Sequence, residues 1–132
     1  MKRIMFFLMI AAIMAMSCTL LSSCREEGHT IELTNDYVSG TWDVTWMEID
    51  GEGMYIPDGH VYMTIKSSGT YYVKMMDNHY VGRWVLEGNK LLGITLDPIK
   101  EVFKFTNLDG NKAEISYSNS EGLRMRLMAK KR

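Results

Sequence analysis

The side chains here that could do chemistry are a few tyrosines, one glutamate, three histidines and a scatter of methionines. Tyr71, Tyr80 and Tyr117 recur in apolar stretches, where aromatic walls with phenolic tips would suit a flat or amphiphilic ligand. Glu101 shares the face of Phe103 and Phe105. A carboxylate there must lie near an opening or be paired, because burying it alone is costly, and a solvated rim is the simpler expectation. His29, His60 and His79 fall in tether or turn-proximal positions, without Gly-x-Ser-x-Gly or His-Glu-x-x-His nearby, so the chain is not expected to be an enzyme. His60, Met63 and His79 lack tight ligand spacing, so neither a metal nor a cofactor is expected. Met47, Met54, Met63, Met75, Met76, Met125 and Met128 read as fillers of an irregular core.

The two cysteines lie in a different kind of segment. Lys2 and Arg3 form a basic start, Ile4 to Met16 an apolar run, and small residues then precede a cysteine, the pattern of a secretory signal. The run is short for a membrane span, which needs about 20 residues. Leu21-Ser22-Ser23-Cys24 resembles the lipobox of bacterial lipoproteins, which implies a diacylated Cys24 thiol and cleavage just before it. Cys18, in "AMSC", lacks the leucine three residues before it and would leave with the signal. The mature domain then has no disulfide and no cysteine-based metal site. Stable anchoring takes at least two acyl chains, and a triacylated cysteine supplies them. Glu26 and Glu27 in "REEGHT" resemble the acidic export signals of some surface lipoproteins, although a plain solvated linker reads equally well.

The elements that must position the tyrosines are strands. The chain of 132 residues has a formal net charge of −1 and no basic stripe, which fits one compact domain and argues against nucleic acid as a partner. From Ser39 onward apolar and polar residues alternate in short runs closed by Gly, Asn, Asp or Ser. Trp42, Val44 and Trp46 are expected on one face, followed at the same parity by Val61, Met63 and Ile65, then Tyr71, Val73 and Met75. Tyr80, Trp84 and Leu86 continue it, then Leu92, Ile94 and Leu96, then Phe103 and Phe105, Ile115 and Tyr117, and last Leu123, Met125 and Leu127. Eight strands result, or nine with "GMYI", and "LTNDYV" could make one helical turn. Short Gly- and Asn-containing connections imply antiparallel neighbours in a meander. Without helices to cover a flat sheet, the sheet must close or fold into a sandwich, and closure is favoured because it removes exposed edges.

Gly40-Thr41-Trp42 at the first strand resembles the Gly-x-Trp opening of the lipocalins and their calycin relatives. Together with "SSGTYYV" and "GRWVLEGNKL" it is similar to the lipocalin-like domains of small secreted bacterial lipoproteins. The resemblance implies an eight-stranded barrel and, by analogy, binding of small apolar molecules. It also implies a last-strand arginine across the tryptophan, for which Arg124 and Arg126 are the candidates, both at outward parity.

The expected organisation is therefore a signal peptide over residues 1–23, an acylated Cys24 with an exposed tether to residue 38, and an all-β, up-and-down antiparallel eight-stranded barrel over residues 39–132. Trp46, Tyr71, Met75, Tyr80, Trp84, Phe103 and Tyr117 are the candidate lining of a binding site, with Gly40 and Trp42 as the fold signature. A barrel of this size can be filled by side chains or hold one small ligand. The aromatic bulk favours filling, and a cavity is the alternative. Two functions follow: a lipoprotein anchored at the outer membrane, facing periplasm or cell surface, that binds a small hydrophobic or amphiphilic molecule; or a non-enzymatic interaction module that contacts an envelope protein or polysaccharide. The sequence specifies no oligomeric state.

Overall fold

The computed structural model describes residues 31–132. The expected signal peptide, Cys18, Cys24 and the acidic stretch after it lie outside the described residues. One helical turn, α1 (Asn35–Val38), precedes nine strands: β1 (Gly40–Ile49), β2 (Glu52–Tyr55), β3 (Val61–Ile65), β4 (Thr70–Met75), β5 (Asn78–Glu87), β6 (Lys90–Thr95), β7 (Lys100–Asp109), β8 (Lys112–Asn119) and β9 (Arg124–Lys131). All neighbours are antiparallel, and β9 returns to pair with β1, so the sheet closes. On the other side of β1, β3 pairs with its first half and β2 with its second, so the two together fill one of eight positions around the barrel.

Two-residue connections set the register. Glu87 pairs with Lys90 across Gly88-Asn89, and Asp109 with Lys112 across Gly110-Asn111, with φ of 61° at Gly88 and 62° at Gly110. Only glycine adopts such values without steric cost.

The register overturns two parts of the expected parity. Across the Gly88-Asn89 turn Leu86 stands opposite Leu91, so Leu91, Gly93 and Thr95 face inward, whereas Ile94 and Leu96 are exposed and Leu92 lies outside with them. The run Leu91-Leu92 is compatible with either parity, and the turn decides. In β1 the register shifts where Met128 pairs with Trp46 but Ala129 with Val44, leaving Thr45 as a bulge. A bulge turns the following side chains over: Met47 is buried, and Trp46 lies outside, its ring against Gly53 of β2 and 5.2 Å beneath the Arg126 guanidinium. Leu123 is also exposed, in the turn before β9.

The residues before Ser39 are not an exposed tether throughout. Leu33 and Val38 are buried, and the segment lies across one end of the barrel. Leu33 N donates to Gly88 O (2.9 Å), Asn35 Nδ2 to Ser67 O (3.3 Å) and Tyr37 Oη to Gly110 O (3.1 Å), so it ties down the three turns at that end. Thr34 caps the helical turn by accepting from Tyr37 N at 3.1 Å. Trp42 is fully buried, donates to Val38 O (2.9 Å) and meets Phe105 edge-on. Lys131, not Arg124 or Arg126, crosses it: its ammonium lies 5.5 Å from the Trp42 ring and donates to Tyr37 O. Gly40, at φ 129°, leaves the room this requires, since a Cβ there would stand 3.0 Å from Lys131 Cε.

Candidate functional site

The opposite end carries the β4–β5, β6–β7 and β8–β9 connections and stays open. Side chains fill the barrel beneath it, and the void they leave, between Val73, Phe103, Ile115 and Leu127, is about 30 Å³. That is far below the roughly 300 Å³ at which small-molecule pockets begin. Above it the mouth forms a depression of about 620 Å³, with Val81, Leu96, Ile99 and Leu123 at its rim and Tyr80, Glu101 and Tyr117 below.

Glu101 comes from the start of β7 and is 3% exposed. It is paired rather than solvated. Tyr71 Oη donates to its Oε1 at 2.5 Å, while Tyr80 Oη and Tyr117 Oη donate to its Oε2 at 2.6 and 2.5 Å. Three donors on two oxygens satisfy a group whose burial alone would be prohibitive. Each phenol is in turn held protonated: desolvation raises its pKa most, followed by the hydrogen bond to Glu101 and the negative charge beside it. Asn119 Nδ2 donates to Tyr117 Oη (3.2 Å), and Asn119 Oδ1 accepts from Glu121 N and Leu123 N, which joins the cluster to the β8–β9 turn.

Tyr71 starts far from Glu101, near the closed end of β4, and reaches it by lying across two glycines. A Cβ at Gly82 would stand 2.8 Å from Tyr71 Cε1, and one at Gly93 would overlap the Tyr71 hydroxyl. Neither glycine has a positive φ, so what they provide is space. Phe103 packs edge-on against Tyr71 (6.1 Å) and tilts against Tyr117 (5.1 Å), which fixes both rings.

Of the expected lining residues, Tyr71, Met75, Tyr80, Phe103 and Tyr117 gather at or just below the mouth. Trp84 does not join them. It sits at the closed end, where Nε1 donates to Lys66 O and Thr70 O, both at 3.0 Å. Trp46 is outside the barrel altogether. The partnership of Glu101 and the glycine slot are what the sequence reading missed. The available signal was an acidic residue at inward parity alongside three inward tyrosines.

Among solved structures, the chain is similar to a lipocalin-like protein from Bacteroides uniformis ATCC 8492, with a TM-score of 0.56 at 16% identity over 73% of this chain and 99% of that one. The fold is that of a lipocalin-like barrel. An uncharacterized protein from Bacteroides eggerthii DSM 20697 also shares it, with a TM-score of 0.54 at 13% identity over 71% of this chain and 98% of that one. No protein-family model matches the sequence, and no curated protein matches it. At such identities the likeness concerns the barrel and not what it binds.

Proposed function

We propose that this chain is a lipid-anchored envelope lipoprotein, non-enzymatic, whose lipocalin-like barrel binds a small amphiphilic molecule at its open mouth. The observation that carries the reading is the 620 Å³ depression, apolar at the rim and phenolic at the floor. Its volume lies in the range of small-molecule pockets, roughly 300–1,000 Å³. With about 30 Å³ inside, the ligand rests on the floor instead of threading the barrel. The anchor is Cys24, held at the outer membrane by its acyl chains, on the strength of the signal and lipobox residues.

Mild extraction of the acylated protein followed by native mass spectrometry tests the binding. A reproducible small-molecule adduct, lost on Leu96→Asp with Leu123→Asp, supports it, and repeated adduct-free preparations count against it. For the anchor, Cys24→Ser abolishes metabolic palmitate labelling; retained label places the lipid elsewhere.

A second reading, an interaction module, draws on the filled interior and on the outer face of β5 and β6, where Val85 is 62% and Ile94 42% exposed. It gains if photocrosslinkers at those positions capture one envelope protein while the mouth binds nothing.

A further inference from the structure

The mouth has a polarity of its own, and it follows from where the phenol protons point. Tyr71, Tyr80 and Tyr117 each spend their single O–H on Glu101. A phenol has one proton to donate and lone pairs to accept with. Tyr80, which lines the depression, therefore offers it oxygen lone pairs and no phenol donor, and Tyr117 beside it offers the lone pair that Asn119 Nδ2 leaves free. Behind them, one hydrogen bond away, lies the Glu101 carboxylate.

The rest of the lining has the same sign. The charged side chains around the depression are Asp97 and Glu101, with His79 as the one further titratable base; no lysine or arginine among the described residues lines it. Lys100, next to Glu101 on β7, and Arg124 at the start of β9 are at outward, exposed positions, and Arg126 is engaged with Glu48 and Glu114 on the outer wall. Among the described residues no basic side chain forms an ion pair with Glu101.

Resting on the reading that the mouth binds an amphiphile, we infer that its ligand class is a cationic amphiphile, a primary ammonium on an apolar body. The ammonium settles on the Tyr80 and Tyr117 oxygens above Glu101, and the body packs against Leu96, Ile99 and Leu123 at the rim. Three N–H donors of an ammonium match acceptors whose own protons face away. An anionic head of the same size would meet those lone pairs and the buried charge behind them. Water exclusion by the apolar rim strengthens both the attraction and the repulsion.

The test is isothermal titration of the purified mature domain with decylamine, decanol and decanoate near neutral pH, which holds the tail constant and changes only the head. Decylamine is expected to bind more tightly than decanol by about tenfold or more, as for a hydrogen bond to a charged group, and decanoate more weakly than decanol. Glu101→Gln keeps the side-chain shape and should bring decylamine and decanol together; Tyr80→Phe, which leaves Tyr117 donating to the same Glu101 oxygen, should narrow the gap. Equal or tighter binding of decanoate overturns the ligand class while leaving an amphiphile site in place, as does an amine preference that survives both substitutions. Failure of all three to bind removes the site itself.

Discussion

Glu101 and its three tyrosines stabilise one another only while the phenols keep their protons. All three have pKa values raised above the ordinary phenol value of 10, by burial first and by Glu101 second. The unfolded chain releases those protons from about pH 10 while the native barrel retains them. The native state then binds more protons, so stability is intact below pH 10 and falls as pH rises beyond it, by about 1.4 kcal/mol per pH unit for each retained proton. In an alkaline titration followed by phenolate absorbance and circular dichroism, Tyr71, Tyr80 and Tyr117 ionise only as the β signal is lost. Ionisation of all seven tyrosines with the barrel intact would refute the cluster. The glycine slot gives an independent check. Gly93→Ala drives a methyl into the Tyr71 hydroxyl, and overpacking plus an acceptor left short of its donor costs about 2–5 kcal/mol. Tyr71→Leu removes both the hydroxyl and the ring carbons, Cζ at 2.7 Å and Cε1 at 2.8 Å, that collide. The double variant should therefore cost less than the two single costs added, and strict additivity of melting free energies would mean that the contact does not exist.

At the scale of elements, alternation marks a strand's existence more reliably than its inward face. The strands from β3 to β5 follow the period of two that their residues announce, because their apolar positions alternate cleanly. β6 and the second half of β1 do not. Leu91-Leu92 carries no parity of its own, and the bulge at Thr45 inverts a pattern in which Trp46 reads as core. Neither the turn register nor the bulge is local to those residues; both depend on the partner strand. Legibility of the site divides the same way. The inward tyrosines can be read from their own strands, but their convergence on Glu101 requires knowing that β4, β5, β7 and β8 bring their ends together. The strap before β1 was hidden because Leu33 and Val38 are isolated apolar residues with no period around them. These placements predict unlike costs for like residues. Trp42→Ala empties the closed end and frees the Val38 carbonyl, a loss of about 3–5 kcal/mol in urea unfolding. Trp46→Ala strips a half-buried ring from the outer wall and costs about 1 kcal/mol. Equal costs would place Trp46 in the core and the bulge elsewhere.

For the molecule as a whole, the two ends of the barrel have different work. The strap, Trp42, Lys131 and the Trp84 indole seal one end with hydrogen bonds to three turns, while the other end leaves an apolar rim uncovered above a polar floor. A packed interior separates them, and moving a ligand through it would require displacing Phe103, Ile115 and Leu127 at a cost comparable to the stability of a small domain. Binding should therefore leave the closed end untouched. An amine amphiphile brominated at the far end of its tail tests this directly, because bromine quenches tryptophan only at contact range. In a Trp46→Phe background, Trp42 and Trp84 are the remaining reporters, and both lie at the sealed end. Saturating ligand should leave their fluorescence nearly unchanged while the rim substitutions Leu96→Asp and Leu123→Asp weaken binding. Strong quenching would mean that the tail enters the barrel, that the core opens to admit it, and that the mouth is an entrance instead of the site.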